Sequence, residues 1–77
     1  MRFAPDDLSG DARADALFVS VLQCSQQPTA PQVEQAITAA IRAFGDLGCA
    51  ALVAQEFGEH PEIAVSRMRW ARVTAAA

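Results

Sequence analysis

The sequence predicts an all-α domain, a small bundle of four short helices. Apolar residues recur at three- and four-residue spacings along most of the chain, the period of a helix with one buried face. Proline and glycine interrupt this period near Pro28, Gly45 and Gly58, so each periodic stretch has the length of one short helix. The stretch LFVSVL would also suit a buried strand, but no second candidate strand exists to pair with it.

The chain divides into a short arm and one domain. Residues 1–10 combine proline, aspartate, serine and glycine without a sustained period, which predicts a flexible N-terminal arm. Residues 11–77 are predicted to form a single helical domain, because 77 residues are too few for two separate cores. The first helix is predicted over about 12–25, with an apolar stripe of Ala14, Leu17, Phe18, Val21 and Leu22.

The second helix has the most regular pattern and the clearest start. Thr29 and Gln32 have the spacing of a capping box, and Pro31 stands in the first turn, where its missing N–H is harmless. The helix is predicted over about 30–44. Its apolar stripe is Val33, Ala36, Ile37, Ala40, Ile41 and Phe44.

A glycine is predicted to separate the second helix from the third. Gly45 follows the last periodic residue, where a left-handed C-cap is usually glycine, and Asp46 can cap the next helix. The third helix is predicted over about 47–57 and ends at Gly58. Its predicted apolar face is Ala50, Val53, Ala54 and Phe57.

The fourth helix is predicted over about 61–74 and carries three arginines and the single tryptophan. His60 or Glu59 can cap it, and Pro61 stands at its first position. Its predicted core stripe is Ala64, Met68 and Ala71, bordered by Ile63, Trp70 and Thr74.

Residues 48–72 resemble a bacterial helix-turn-helix domain. In QEFGEHPEIAVSR, Ala54 stands four residues before the turn glycine, Gly58, and the pair His60 and Pro61 opens the recognition helix. This resemblance implies that the fourth helix lies in the major groove of DNA. The chain also resembles short uncharacterised actinobacterial proteins that end in a similar HPE…RMRWAR segment, which implies a family but no activity.

If this resemblance holds, the chain is a small regulator that contacts duplex DNA. Arginine can read guanine, and serine can donate to a base or a phosphate. The residues predicted to contact DNA are His60, Ser66, Arg69 and Arg72. Glu59 and Glu62 at the helix entry, and the net charge of −3, oppose binding to phosphates. A helical hairpin whose arginines face solvent explains the same residues without DNA.

The alternative function is a protein-interaction module without DNA contact. Arg67, Trp70 and Val65 are the residues predicted to bind a partner, since tryptophan and arginine dominate the energetics of many interfaces. Trp70 also suits the core, beside Ile63, which is the commoner position for a tryptophan. Aliphatic side chains left over from the core stripes indicate a homodimer or a larger protein partner.

The sequence does not support enzyme chemistry. His60 is the single histidine and has no identifiable orienting partner, so no catalytic residue is predicted. The spacing of Cys24 and Cys49 matches no zinc site, and no metal, cofactor or small-molecule substrate is predicted. The absence of a signal-peptide pattern and of a long apolar run predicts a cytoplasmic protein with no membrane span.

Overall fold

The computed structural model describes the chain from Gly10 to Ala76, and within that range all regular structure is helical. Helix α1 spans Gly10–Val19, α2 spans Ala30–Glu59 and α3 spans Pro61–Ala76, with a short 3-10 helix at Cys24–Gln26. The all-α class is confirmed. The predicted count of four helices is wrong, because the second and third predicted helices are one kinked helix. The arm predicted over residues 1–10 lies outside the described residues, except for Gly10.

The start of α2 follows its sequence signals. The backbone N–H of Gln32 donates to Thr29 Oγ1 at 3.3 Å, and the N–H of Thr29 donates to Gln32 Oε1 at 2.9 Å. This reciprocal pair satisfies donors that the first turn of a helix leaves free. The capping box predicted at Thr29 is therefore confirmed.

A kink at Gly45 divides α2 without ending it. Gly45 has φ 72° and ψ 167°, a backbone conformation that is essentially restricted to glycine. The carboxylate of Asp46 accepts from the N–H of Leu47 at 2.9 Å, and the thiol of Cys49 donates to the carbonyl of Ala40 at 3.7 Å across the bend. Gly45 alone departs from helical geometry, so two helical segments meet at this residue and together make up α2.

A single residue joins α2 to α3. Helix α2 continues through Gly58, the predicted turn residue, and ends at Glu59. His60 leaves helical geometry because proline disfavours the α conformation in the residue before it. The N–H of His60 donates to the carbonyl of Glu56 at 2.7 Å, and the carbonyl of His60 accepts from the N–H of Ala64 at 2.9 Å. One residue thus closes α2 and opens α3.

The core lies where α1 packs against both other helices. Its largest fully buried side chains are Leu17, Ile37 and Cys49, and α3 contributes mainly small residues. Arg13 links the three helices at one end of the core: its guanidinium donates to both carboxylate oxygens of Glu34, at 3.0 and 2.6 Å, and to the carbonyl of Ala75 at 3.3 Å. The side of α3 that points away from this core faces solvent.

The first helix ends earlier than the predicted residue 25. It stops at Val19, where the hydroxyl and the N–H of Ser20 both donate to the carbonyl of Leu17, at 2.6 and 3.2 Å. Val21, assigned to the predicted core stripe, is consequently 88% exposed. Immediately after Val19 the chain is no longer helical, yet Leu22 still packs against the core. The carbonyl groups of Ser20 and Leu22 accept hydrogen bonds from Arg67 of α3.

Candidate functional site

The side of α3 that faces solvent carries an apolar surface. Ala64, Met68, Ala71 and Ala75 are buried and fix the rotation of the helix. At 3.6 residues per turn the opposite side is then formed by six residues, called here the α3 face. They are Glu62, Ile63, Ser66, Arg69, Trp70 and Val73. Ile63 is 65% exposed and Val73 is 70% exposed, so two branched aliphatic side chains lie in water.

The α3 face has two shallow depressions with Ser66 at the border of both. One is lined by Gln23, Cys24, Glu62, Ile63, Ser66 and Arg67. The other is lined by Ser66, Arg69, Trp70, Val73 and Thr74. A small side chain at the border between two depressions allows another helix to approach the backbone of α3 closely.

Two charged residues of the α3 face have no ion-pair partner within the described part of the chain. Glu62 and Arg69 are both exposed, and they lie seven residues apart, about two helical turns. They therefore stand on the same side of α3. Arg72, by contrast, lies 3.9 Å from the carboxylate of Asp11, with both side chains largely exposed.

Arg67 connects α3 to the end of α1. Its Nε donates to the carbonyl of Phe18 at 2.6 Å, and its Nη2 donates to the carbonyls of Ser20 and Leu22, at 3.0 and 2.9 Å. A helix leaves its last carbonyl groups without intrahelical partners, and a guanidinium with several planar donors can satisfy them together. Arg67 thus holds the segment that follows α1.

The guanidinium of Arg67 also contacts two aromatic rings. Its Cζ lies 5.7 Å from the centre of the Phe18 ring and 5.0 Å from that of Trp70, within the range of cation–π attraction. Burial lowers the pKa of the guanidinium from its ordinary value, although arginine remains protonated in proteins. The contact fixes the half-buried Trp70 ring at the edge of the α3 face.

The structure separates the residues predicted to bind a partner. Arg67 is engaged within the fold, whereas Trp70 reaches the α3 face and Val65 is exposed on another side of the helix. Sequence reasoning placed Ile63 beside the core, and the structure places it in solvent. The spacing of Ile63, Trp70 and Val73 was the available signal, since residues seven and ten apart share a helix face.

The residues predicted to contact DNA are all exposed. They are His60, Ser66, Arg69 and Arg72. His60 forms the junction between helices and the other three lie along α3. Helix-turn-helix motifs usually have a turn of three or four residues, while this junction has one. Glu59 and Glu62 are exposed beside the same junction, so the start of α3 has negative charge.

Three potential metal-ligating residues lie at the end of α2. Donor atoms of Glu56, Glu59 and His60 are within 4.8 Å of one another, and His60 Nδ1 lies 3.3 Å from Glu56 Oε2. Sequence reasoning treated His60 alone and missed the carboxylates, although their three- and four-residue spacing places all three on one helix side. Among the described residues these are the ones that could hold a divalent cation.

A second apolar surface lies on α2 after the kink. Leu47 is 83% exposed, and Ala50, Ala51 and Ala54 continue the exposed side. Helix α2 contains an 18-residue stretch with a mean hydropathy of 1.5, of which 28% is buried in the fold. By length and composition alone, α2 is the one helix in the described range that could cross a membrane. The core helices of soluble proteins share these properties.

Replacing Asp15 by asparagine is expected to stabilise the fold at neutral pH. Burial, and then repulsion from Asp11, raise the pKa of Asp15 above its ordinary value of 3.8, whereas Arg72 acts in the opposite direction. Because the folded pKa is the higher one, the wild type loses stability as pH rises through it. The gain should be roughly 0.5 kcal/mol, the scale of one charge pair within a helix.

Denaturant unfolding at neutral pH and well below pH 3.8 measures this effect. The difference between Asp15→Asn and the wild type should disappear at the lower pH, where both side chains are neutral. Glu59→Gln is the control, since it removes an equal charge at an exposed position. An equal gain in both variants would show that net charge, rather than the surroundings of Asp15, is responsible.

Comparison of the chain with protein-family models, with curated proteins and with solved structures finds no match. The geometry of the chain's own residues is therefore the basis for any function. Two features of that geometry bear on function most directly. They are the exposed apolar residues of the α3 face and the carboxylates of Glu59 and Glu62, which lie close to its arginine.

Proposed function

We propose that the chain is a non-enzymatic protein-interaction module whose docking surface is the α3 face. One observation supports this most strongly: Ile63, Trp70 and Val73 line the solvent side of α3, and both aliphatic residues are more than half exposed. Covering apolar surface stabilises a complex by about 25 cal/mol per Å² before the costs of association. DNA binding, the first function predicted from the sequence, needs basic residues in these positions.

Arg67 supports this function from within the fold. Its guanidinium is held by the carbonyls after α1 and contacts the Trp70 ring at 5.0 Å. The ring is thereby oriented before any partner arrives, so binding costs less side-chain entropy. Arg67 is a positioning residue here, and Trp70 is the anchor.

Binding to duplex DNA is the second candidate. The observation that favours it is the exposure of Ser66, Arg69 and Arg72 along one helix. Electrostatics favour the protein partner, because Glu59 and Glu62 stand beside these residues and the whole chain carries a net charge of −3. Few phosphates would be neutralised by such a surface.

Photo-cross-linking in lysate of the source organism tests the docking surface. A photo-reactive residue at Val73 is expected to capture protein, whereas the same residue at Gln35, exposed on α2, is not. Excess wild-type chain should abolish the capture, and excess Ile63→Ser chain should compete poorly because it lacks an apolar side chain there. Equal capture at both positions, or equal competition by both chains, would contradict the proposal.

Titration against duplex DNA at several salt concentrations separates the two candidates. We expect no retardation beyond a weak, salt-sensitive effect, with Arg69→Ala equal to the wild type. If Arg69 neutralised a phosphate, its removal would instead weaken the dependence of affinity on salt. Strong retardation that Arg69→Ala abolishes would establish DNA binding.

A further inference from the structure

We infer that two copies of this chain pair through their α3 faces, with the helices antiparallel about a two-fold axis beside Ser66. The inference rests on the proposed function and names the partner as a second copy. A two-fold interface requires that one surface be complementary to itself. The α3 face meets this requirement in charge, in apolar contact and in the size of its central residue.

The charges of one α3 face complement those of a second α3 face that lies antiparallel to it. Glu62 and Arg69 stand on the same side of the helix, and the midpoint between them falls beside Ser66. An antiparallel copy centred there brings Glu62 of each chain to Arg69 of the other. Two reciprocal ion pairs form from residues that have no ion-pair partner within the described chain. A parallel arrangement would instead place each charge against the apolar flank of the other copy.

The apolar residues are arranged with the same symmetry along the other flank of the α3 face. Ile63 and Trp70 are also seven residues apart, and their midpoint again falls beside Ser66. Ile63 of one copy then lies over the depression that Trp70 and Val73 line in the other. Ser66 is small enough to let the two helices approach closely at the crossing point. The midpoint of the charged pair falls half a residue before Ser66 and that of the apolar pair half a residue after it, so one axis at Ser66 serves both pairs to within about 1.5 Å along the helix.

The area of the α3 face determines how tightly the two copies are expected to bind. One helix face contributes less than the roughly 800 Å² per partner of a standard interface, so the dimer should dissociate on dilution. The ion pairs determine the antiparallel orientation of the two helices, and the apolar contacts supply most of the affinity. Covering Ile63 and Val73 removes from water two of the most exposed apolar side chains.

Charge reversal tests the pairing in purified protein by sedimentation velocity over a range of concentrations. The wild type should be a reversible dimer. Glu62→Arg alone and Arg69→Glu alone should each raise the dissociation constant about tenfold or more, because like charges then meet. The double variant, Glu62→Arg with Arg69→Glu, should restore dimerisation. A monomer at every concentration, or no rescue by the double variant, would overturn the inference.

Cysteine cross-linking tests the position of the axis. In a Cys24→Ser chain, which lacks the exposed native thiol, Ser66→Cys should form a disulfide-linked dimer on oxidation, since residues on the axis meet their own copies. Val65→Cys is the matched control, because the adjacent residue faces another direction. Unchanged thermal unfolding of each reduced variant shows that the fold is intact. Equal cross-linking of both variants would contradict an axis at Ser66.

The two proposals fail in different ways. If Val73 captures other proteins while the purified chain remains a monomer, the interaction function stands and self-pairing is overturned. If the captured protein is the chain itself and charge reversal has the expected effect, both proposals are supported. If Val73 captures nothing and the purified chain is a monomer, both are overturned.

Discussion

Replacement of Arg67 by methionine is expected to lower the free energy of unfolding by about 3 kcal/mol. Hydrogen bonds to a charged group contribute roughly 1.5–3 kcal/mol, and this guanidinium donates to three carbonyls around the end of α1. Methionine keeps much of the apolar stem and removes every donor. In a domain of this size the thermal midpoint should fall by roughly 12–24 °C, measured by circular dichroism.

Arg69→Met is the matched control for this prediction. Arg69 lies two residues further along α3 and is exposed, so its removal should change stability by less than about 0.5 kcal/mol. Arg67→Lys should recover only part of the stability, because an ammonium group lacks the planar arrangement of donors. Equal midpoints for the Arg67→Met and Arg69→Met variants would show that the carbonyl contacts contribute little.

Replacement of Gly45 by alanine is expected to destabilise the fold by about 2 kcal/mol. The kink has φ 72° and ψ 167°, which costs a residue with a Cβ of order 1–3 kcal/mol. No neighbouring atom lies within 4 Å of where that Cβ would be, so the cost arises from the backbone and not from a clash. Denaturant unfolding of both proteins measures the difference.

Gly58→Ala provides the control for the kink, with the opposite expected sign. Gly58 lies within α2 at a helical residue, and an added Cβ there also meets nothing within 4 Å. Alanine in that position should stabilise the fold by up to about 1 kcal/mol, because glycine has the greater freedom in the unfolded chain. Equal destabilisation by both substitutions would indicate that the positive φ of Gly45 is not the cause of the loss.

Local signals in the sequence were sufficient for much of the fold. Val33, Ile37, Ala40 and Ile41 are buried as their spacing predicts, whereas Phe44, the last residue of the predicted stripe, is 50% exposed. Thr29 caps α2 and Pro61 begins α3, as expected. After Gly45 the pattern misled, because alanine suits either side of a helix. Val53 is buried, but the fully buried residue beside it is Cys49, whereas Ala50 and Ala54 face solvent.

The candidate site, too, could be predicted from the sequence only in part. The exposure of Ser66 and Arg69 followed from helical phase once Ala64 and Ala71 were assigned to the core. The contacts of Arg67 could not be foreseen, because its acceptors are backbone carbonyls 45 to 49 residues earlier in the chain. No side-chain pattern records which carbonyl groups a fold leaves available. The early end of α1 was missed for a related reason, since apolar residues continue past Val19.

The brevity of α1 has a consequence for how the chain folds. Ten residues are fewer than an isolated helix needs to persist in water, so α1 depends on contacts with the rest of the chain. Arg13 joins it to Glu34 and Ala75, the latter 62 residues away. Contacts within α2 and α3 close only small loops of chain. The contacts of Arg13 with Glu34 and Ala75 close much larger loops, which costs more chain entropy. Helix α1 should therefore acquire its structure last, together with the closing of the core.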